Sequence, residues 1–349
     1  MKKIFWLLLP AMLCSCGGSE EKELTAEERE SAQYDLVVQE KLGDGFTALT
    51  ANSDMAAGKY PDAQVKLGHF LYYDTKLSKT GKISCNSCHN LAAFGVDNLP
   101  VSPGDAGKTG DRNSPTVLNA ALHSFQFWDG RAKDVEEQAG MPILNPVEME
   151  IPSKDFLMKR LGETELYPKL FAEAYPGEAK PLTYDNLQKA IGAFERTLTT
   201  PSRFDKYLGG QKDALTLQEK KGLVAFYTVG CNTCHTGNLL GGNMFQKFGV
   251  HDDYWKHTGS KNIDKGVYAL NKDETKEYVF KVPTLRNVEK TAPYFHDGSV
   301  SDLKQAVKIM AKVQLDRELT EEETNRITAF LGALTGDVPE IAKKAPVGI

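Results

Sequence analysis

The sequence predicts a mainly α-helical protein of two tandem modules, with short β elements and long loops. Three observations predict it. Apolar residues recur at helical spacing behind recognisable N-caps, one five-residue cysteine motif occurs twice, and turn-rich stretches separate the periodic segments.

Taken in order, the first residues stand apart from the rest. Lys2 and Lys3 precede an apolar run from Ile4 to Leu13, a signal-peptide layout too short to span a bilayer. Leu13-Cys14-Ser15-Cys16-Gly17 reads as a lipoprotein cleavage box, with Cys16 as the lipidated residue. The plainer alternative is an ordinary signal peptide with incidental cysteines. We divide the chain into a signal at 1–16, a polar tether and helical extension at 17–60, a first module at 61–199 and a second at 200–349.

Pro61 can open a helix, where its missing N–H costs nothing, and Val65, Leu71 and Tyr72 give that helix an apolar side. Behind a Thr183 cap, Leu187, Ala190, Ile191, Phe194 and Leu198 form one buried stripe. The module boundary follows at Thr199-Thr200-Pro201-Ser202. Thr216 with Glu219, and Thr320 with Glu323, are capping boxes; the second precedes Ile327, Phe330, Leu331 and Leu334, and Gly336 is expected to end that helix. Turn-rich stretches cover 98–112 and 236–249, with short strands expected near 245–250.

Composition sets outer limits. With 349 residues, 41% hydrophobic and net charge −5, the chain can bury two cores and has no basic excess to bind nucleic acid. The remaining cysteines are Cys85, Cys88, Cys231 and Cys234, in Cys85-Asn86-Ser87-Cys88-His89 and Cys231-Asn232-Thr233-Cys234-His235. Both are the C-x-x-C-H pattern of c-type haem attachment. Two thiols three residues apart can each add to a porphyrin vinyl group, and the adjacent His89 or His235 supplies the proximal imidazole. A thioredoxin-like redox pair would need a βαβ context that is missing here, and an all-cysteine zinc site does not explain a histidine after each pair. Gly68 with Phe70 and Tyr72, and Gly222 with Phe226, precede the two motifs, so they read as an internal duplication of cytochrome c-like domains.

The sixth iron position separates electron transfer from chemistry with peroxide or dioxygen. Downstream of the second motif, Leu303, Ala306, Val307 and Met310 share a helical face; by periodicity Met310 is a core methionine. After the first motif come Trp128-Asp129-Gly130-Arg131, Gln138 and Asn145-Pro146-Val147-Glu148-Met149. A carboxylate over an iron can shuttle a proton between peroxide oxygens and an amide can hold the peroxide, but spacing alone reads Glu148 as a surface glutamate.

Long strings then carry a resemblance. Leu67-Gly68 with Phe70-Leu71, Arg112 to Asn119, Phe127 to Arg131, Glu137-Gln138, Asn145 to Met149, Lys281 to Asn287 and Thr291 to Gly298 are similar to the bacterial di-haem cytochrome c peroxidase family, which also contains the enzyme that matures methylamine dehydrogenase. The resemblance implies two covalent haems c, with His89 on the peroxide-binding low-potential haem, Glu148 as its acid/base group and Gln138 beside it. His235 and Met310 would be the axial pair of a high-potential haem, with Trp128 on the electron path. Asn113, by its side chain, and Thr291 and Pro293, by their carbonyls, would hold calcium, and His296 would help couple the haems. Electrons would come from a small cytochrome c or another envelope carrier, in a periplasmic protein bound to the membrane by its lipid alone; homodimers are common in the family. A di-haem oxidase of a partner protein and a non-catalytic electron carrier are the alternatives. Against the former, its best-known example has tyrosine at the position of Met310. One departure stands out: Val101-Ser102-Pro103-Gly104-Asp105-Ala106-Gly107 puts Asp105 where many members carry a haem-capping histidine. The first haem is therefore expected to lack that cap and to need no reductive activation.

Overall fold

The computed structural model describes residues 23–42, 45–50 and 60–348; the expected signal at 1–16, with Cys16, lies outside them. Regular structure among these residues is nearly all helical. Helix α1 (Ala26–Leu42) precedes the first core, in which α2 (Asp62–Tyr73), α3 (Cys85–Cys88), α4 (Val135–Leu144), α5 (Lys154–Gly162), α6 (Leu166–Ala174) and α7 (Tyr184–Glu195) follow in order. Pro61 is the N-cap of α2, one position ahead of its first turn, and the Thr183 side chain caps α7 by accepting from Asn186 N.

Helices α2 and α7 cross in contact. Leu67, Leu71 and Tyr72 bury completely against Ala190, Ile191 and Phe194. Gly68 permits the crossing, because a Cβ there would lie 1.8 Å from the Ala190 carbonyl oxygen and 2.8 Å from Phe194 Cβ.

The second core repeats the device. Its half of the chain holds α8 (Arg203–Leu208), α9 (Leu217–Val229), α10 (Tyr254–Thr258), α11 (Tyr268–Asn271), α12 (Leu303–Leu315) and α13 (Glu321–Gly332), and the core lies among α8, α9, α12 and α13. Both predicted capping boxes are present, at Thr216 with Glu219 and at Thr320 with Glu323. Where α9 crosses α13, a Cβ on Gly222 would lie 1.9 Å from Arg326 O and 2.9 Å from Phe330 Cβ. The same glycine-on-carbonyl, glycine-on-phenylalanine contact thus occurs in each core, a three-dimensional trace of the duplication. Substituting Gly222→Ala is expected to destabilise the fold by about 1–3 kcal/mol through overpacking. Gly177→Ala, where a Cβ meets nothing within 4 Å, should unfold thermally with the wild type.

Helix α13 stops at Gly332, four residues before the expected terminator Gly336. Tertiary bonds take over there: Ala333 O accepts from Phe204 N, and Gly336 N donates to Asn287 Oδ1. Gly336 instead lies against Thr200, whose carbonyl oxygen would be 2.2 Å from an added Cβ. Thr200 is fully buried, and its hydroxyl accepts from both Asn119 Nδ2 and Asn287 Nδ2. Two excursions cross between the cores. Helix α1 lies on α9, where buried Lys220 bonds Asp35 and Ser31, and the C-terminal Ala342 packs in the first core beside Tyr73. The expected strand is β1 (Phe245–Lys247), paired antiparallel with β2 (Val279–Lys281) so that Phe245 faces Lys281.

Candidate functional site: two attachment turns and two cavities

Each cysteine motif sits at a tight turn. Ser84 and Ser87 cap the single-turn helix that presents Cys85 and Cys88. In the second core, Gly230 at φ 105° ends α9 and starts the short turn Cys231–Thr233. None of these four cysteines is bridged in a disulfide.

The histidines are held alike. His89 Nδ1 donates to Pro115 O at 2.9 Å and His235 Nδ1 to Leu240 O at 3.0 Å. Burial lowers both pKa values, keeping the rings neutral. A neutral imidazole anchored through Nδ1 presents its Nε2 lone pair outward, the form a metal ligand takes. The Tyr72 hydroxyl adds a bond to His89 O at 2.6 Å.

Two cavities adjoin these turns. The larger is walled by Cys231, Cys234 and His235 and, on α12, by Met310 with Val307 and Ala306. The face read as core packing is thus a cavity wall, with the thioether in the same space as the imidazole. The smaller cavity brings together His89, Gln138 and Glu148. Trp128 borders both, its Nε1 donating to Asn113 O at 2.9 Å. Unbridged cysteine pairs, anchored imidazoles and adjoining cavities, the larger mostly apolar, are what covalently attached haem requires, and these residues fit it.

The polar groups of the smaller cavity come from α4, the loop after it and the end of α7. Gln138 projects from α4, whose N-cap is Asp134. Glu148 lies in the loop after α4, half-buried, with Oε1 accepting from Asn145 Nδ2 at 2.8 Å. Burial raises its pKa above the ordinary glutamate value, against the opposing Arg131 charge and the Asn145 bond. Glu195, buried at the end of α7, borders the same cavity. Burial first, then the charge of Glu136, pushes its pKa up to about 8.

Asp105 borders neither cavity. Its carboxylate accepts from Thr80 N and Thr80 Oγ1, each at 2.8 Å. Burial would raise its pKa, yet these bonds hold it below the usual range. Its backbone N donates to Glu148 O at 2.7 Å. Next to it, a Cβ on Gly104 would lie 1.9 Å from Val147 O. The loop therefore braces the Glu148 backbone, a role that no local signal in the sequence displays.

Asn113, Thr291 and Pro293 all border the larger cavity. Asn113 Nδ2 donates to Leu99 O at 2.9 Å, and its Oδ1 accepts no hydrogen bond among the described residues. His296 is buried there as well, stacked on Phe280 at 4.3 Å, with Nε2 unpartnered. Arg112 joins the halves of the chain by pairing with both Asp129 and Asp264 at 2.6 Å.

Two haem-attachment turns serving unlike cavities define a di-haem c-type cytochrome. Residues 62–213 match the family described as di-haem cytochrome c peroxidase. Cytochrome c551 peroxidase of Pseudomonas aeruginosa is 45% identical over 283 residues, 80% of this chain and 81% of that protein. That of Nitrosomonas europaea is 44% identical over 297 residues, covering 85% and 84%. The methylamine utilization protein MauG of Paracoccus denitrificans is 34% identical, covering 81% of each chain. Among solved structures, a MauG-like protein associated with microbial copper homeostasis superposes with a TM-score of 0.73 at 26% identity, over 83% of this chain and 94% of that one. The chain belongs to the di-haem cytochrome c peroxidase family. Its fold class and its cofactor, two haems c, follow from that membership.

Proposed function

We propose that the protein reduces hydrogen peroxide to two waters, consuming two protons and two electrons drawn from a small cytochrome c or similar carrier of the cell envelope. The observation that carries this is the inequality of the cavities: Met310 shares one with His235, while the other pairs His89 with Glu148 and Gln138. When bound, haem would supply the redox centre and the peroxide chemistry. His89 would hold the first haem from the cavity that also contains Glu148 and Gln138. Glu148, as carboxylate, takes the proton from one peroxide oxygen and returns it to the departing one, while Gln138 orients the peroxide by hydrogen bonding. His235 and Met310 would hold the second haem, and a His/Met pair would give it a high potential suited to accepting electrons. Trp128, bordering both cavities, lies on the path between them.

Steady-state peroxide reduction with reduced cytochrome c tests the reading, beside a spectrum of the oxidised protein. Two cytochromes oxidised per peroxide are expected, with a first haem that is not bis-histidine ligated and reacts without prior reduction, because Asp105 is committed to Thr80. Two low-spin haems unmoved by peroxide would reduce the protein to an electron relay.

Asn113 Oδ1 with the carbonyls of Thr291 and Pro293 suits a calcium ion, a hard cation that takes oxygen ligands. Chelation should lower the thermal stability of the holoprotein, and calcium, not magnesium, should restore it. Cys16 as a lipid anchor places the enzyme at the envelope, with homodimerisation as in relatives; acyl modification of Cys16 is readable by mass spectrometry.

A further inference from the structure

The two cavities meet at a buried lysine and a half-buried histidine that the scheme above does not use. Lys281, at the end of β2, is 5% exposed. Its ammonium donates to His123 Nδ1 at 2.9 Å and to Phe125 O at 3.0 Å, and an ammonium has a third N–H to place. Lys281 forms no ion pair among the described residues. Asp129, whose charge reaches it from farther off, is already bound by Arg112 and Arg131.

His123 supplies the second half of the site. With Nδ1 accepting from the ammonium, the ring proton sits on Nε2, and that atom is buried without a partner. Gly242 packs on the ring, since a Cβ there would come within 2.9 Å of His123 Cδ2. Both Lys281 and His123 border both cavities.

A buried cation without a counter-charge and a buried N–H without an acceptor each cost free energy. Both deficits have one remedy, an anion with two acceptor oxygens. Burial pulls the Lys281 pKa down to about 7 even against the Asp129 charge, which raises it, so the side chain holds its charge firmly only if such an anion arrives. Each haem carries two propionate carboxylates, and haem is what these cavities take.

We propose that Lys281 and His123 Nε2 together bind a haem propionate carboxylate at the seam between the two cavities. The proposal rests on the two-haem reading and not on peroxide turnover, so inactivity of the wild type toward peroxide would leave it standing. The ammonium at that haem's edge favours the reduced iron, and its placement beside Trp128, whose carbonyl accepts from Lys281 N at 2.7 Å, puts this charge next to the electron path.

The test uses holoprotein with haem carrying 13C at the propionate carboxyls, read by redox-difference infrared spectroscopy and potentiometric titration. Lys281→Met should shift a labelled carboxylate band and lower the midpoint potential of at least one haem by about tenfold in the redox equilibrium, 59 mV for one electron. Lys281→Arg, which keeps the charge, should hold the potential near wild type. His123→Leu should shift the same band without changing the spin state of either haem. The labelled band decides: if it is unmoved in both Lys281→Met and His123→Leu, no propionate lies there. A low-spin haem turned high-spin by His123→Leu would also overturn the proposal, by showing the ring on iron. Should Lys281→Met fail to take up both haems, His123→Leu and Lys281→Arg answer by the same band.

Discussion

Glu148→Gln is expected to retain both haems and to lose peroxide turnover by about 10²–10⁴-fold, the usual worth of a positioned acid/base group. The amide keeps the size of the side chain, and as a hydrogen-bond partner for Asn145 it preserves the loop that Asp105 N braces through Glu148 O. What it cannot do is accept a proton from peroxide. The wild-type pH profile carries the same signature. Burial raises the Glu148 pKa, and the reaction needs the ionised carboxylate at its start. Activity should therefore fall as pH drops through that raised value, at a pH above the range of an exposed glutamate. In Glu148→Gln this acid limb should vanish with the activity. Turnover retained at the wild-type level in the variant would remove Glu148 from the mechanism.

The cysteine motifs were legible in sequence because covalent attachment imposes a local spacing that nothing else in the chain explains. The caps at Thr183, Thr216 and Thr320 were legible for a similar reason, since each satisfies orphan N–H groups within three residues of itself. Gly68 and Gly222 could be noticed as paired positions, but their cause could not. Each marks a helix crossing whose partner carbonyl, at Ala190 or Arg326, lies far along the chain, and that close approach exists only in three dimensions. Asp105 illustrates the opposite limit. Its identity announced a missing histidine, while its actual partner, Thr80, and its support of Glu148 come from loops that meet only on folding. Lys281 was part of a recognisable string, yet its partner His123 lies 158 positions away, and a buried lysine cannot be told from an exposed one by its neighbours in sequence. The end of α13 was misplaced for the same kind of reason: Gly336 has the residue type of a helix terminator, but tertiary bonds to Phe204 and Asn287 end the helix first.

Met310→Leu should leave haem attachment intact and disable delivery of electrons. Leucine nearly conserves the volume of methionine, so the cost to the fold should stay below about 1.5 kcal/mol, and the thioether bonds to Cys231 and Cys234 do not involve residue 310. On the proposed ligation, the loss falls on the sixth position of the second haem. A methionine sulfur stabilises reduced iron and so raises the potential; without it the second haem becomes a poorer electron acceptor, by a factor of ten for each 59 mV of a one-electron couple. Donor-driven turnover should fall at least about tenfold on that basis, while the first reaction of peroxide with fully reduced protein, which depends on His89, Glu148 and Gln138, should keep its rate. That split separates Met310 from a packing residue of the α12 face. Val307→Leu, a neighbouring change on the wall of the same cavity, should alter stability without altering the potential. If Met310→Leu instead leaves the spectrum and potential of the second haem as they were, sulfur is not its ligand, and the inequality between the two irons must be sought elsewhere in the larger cavity.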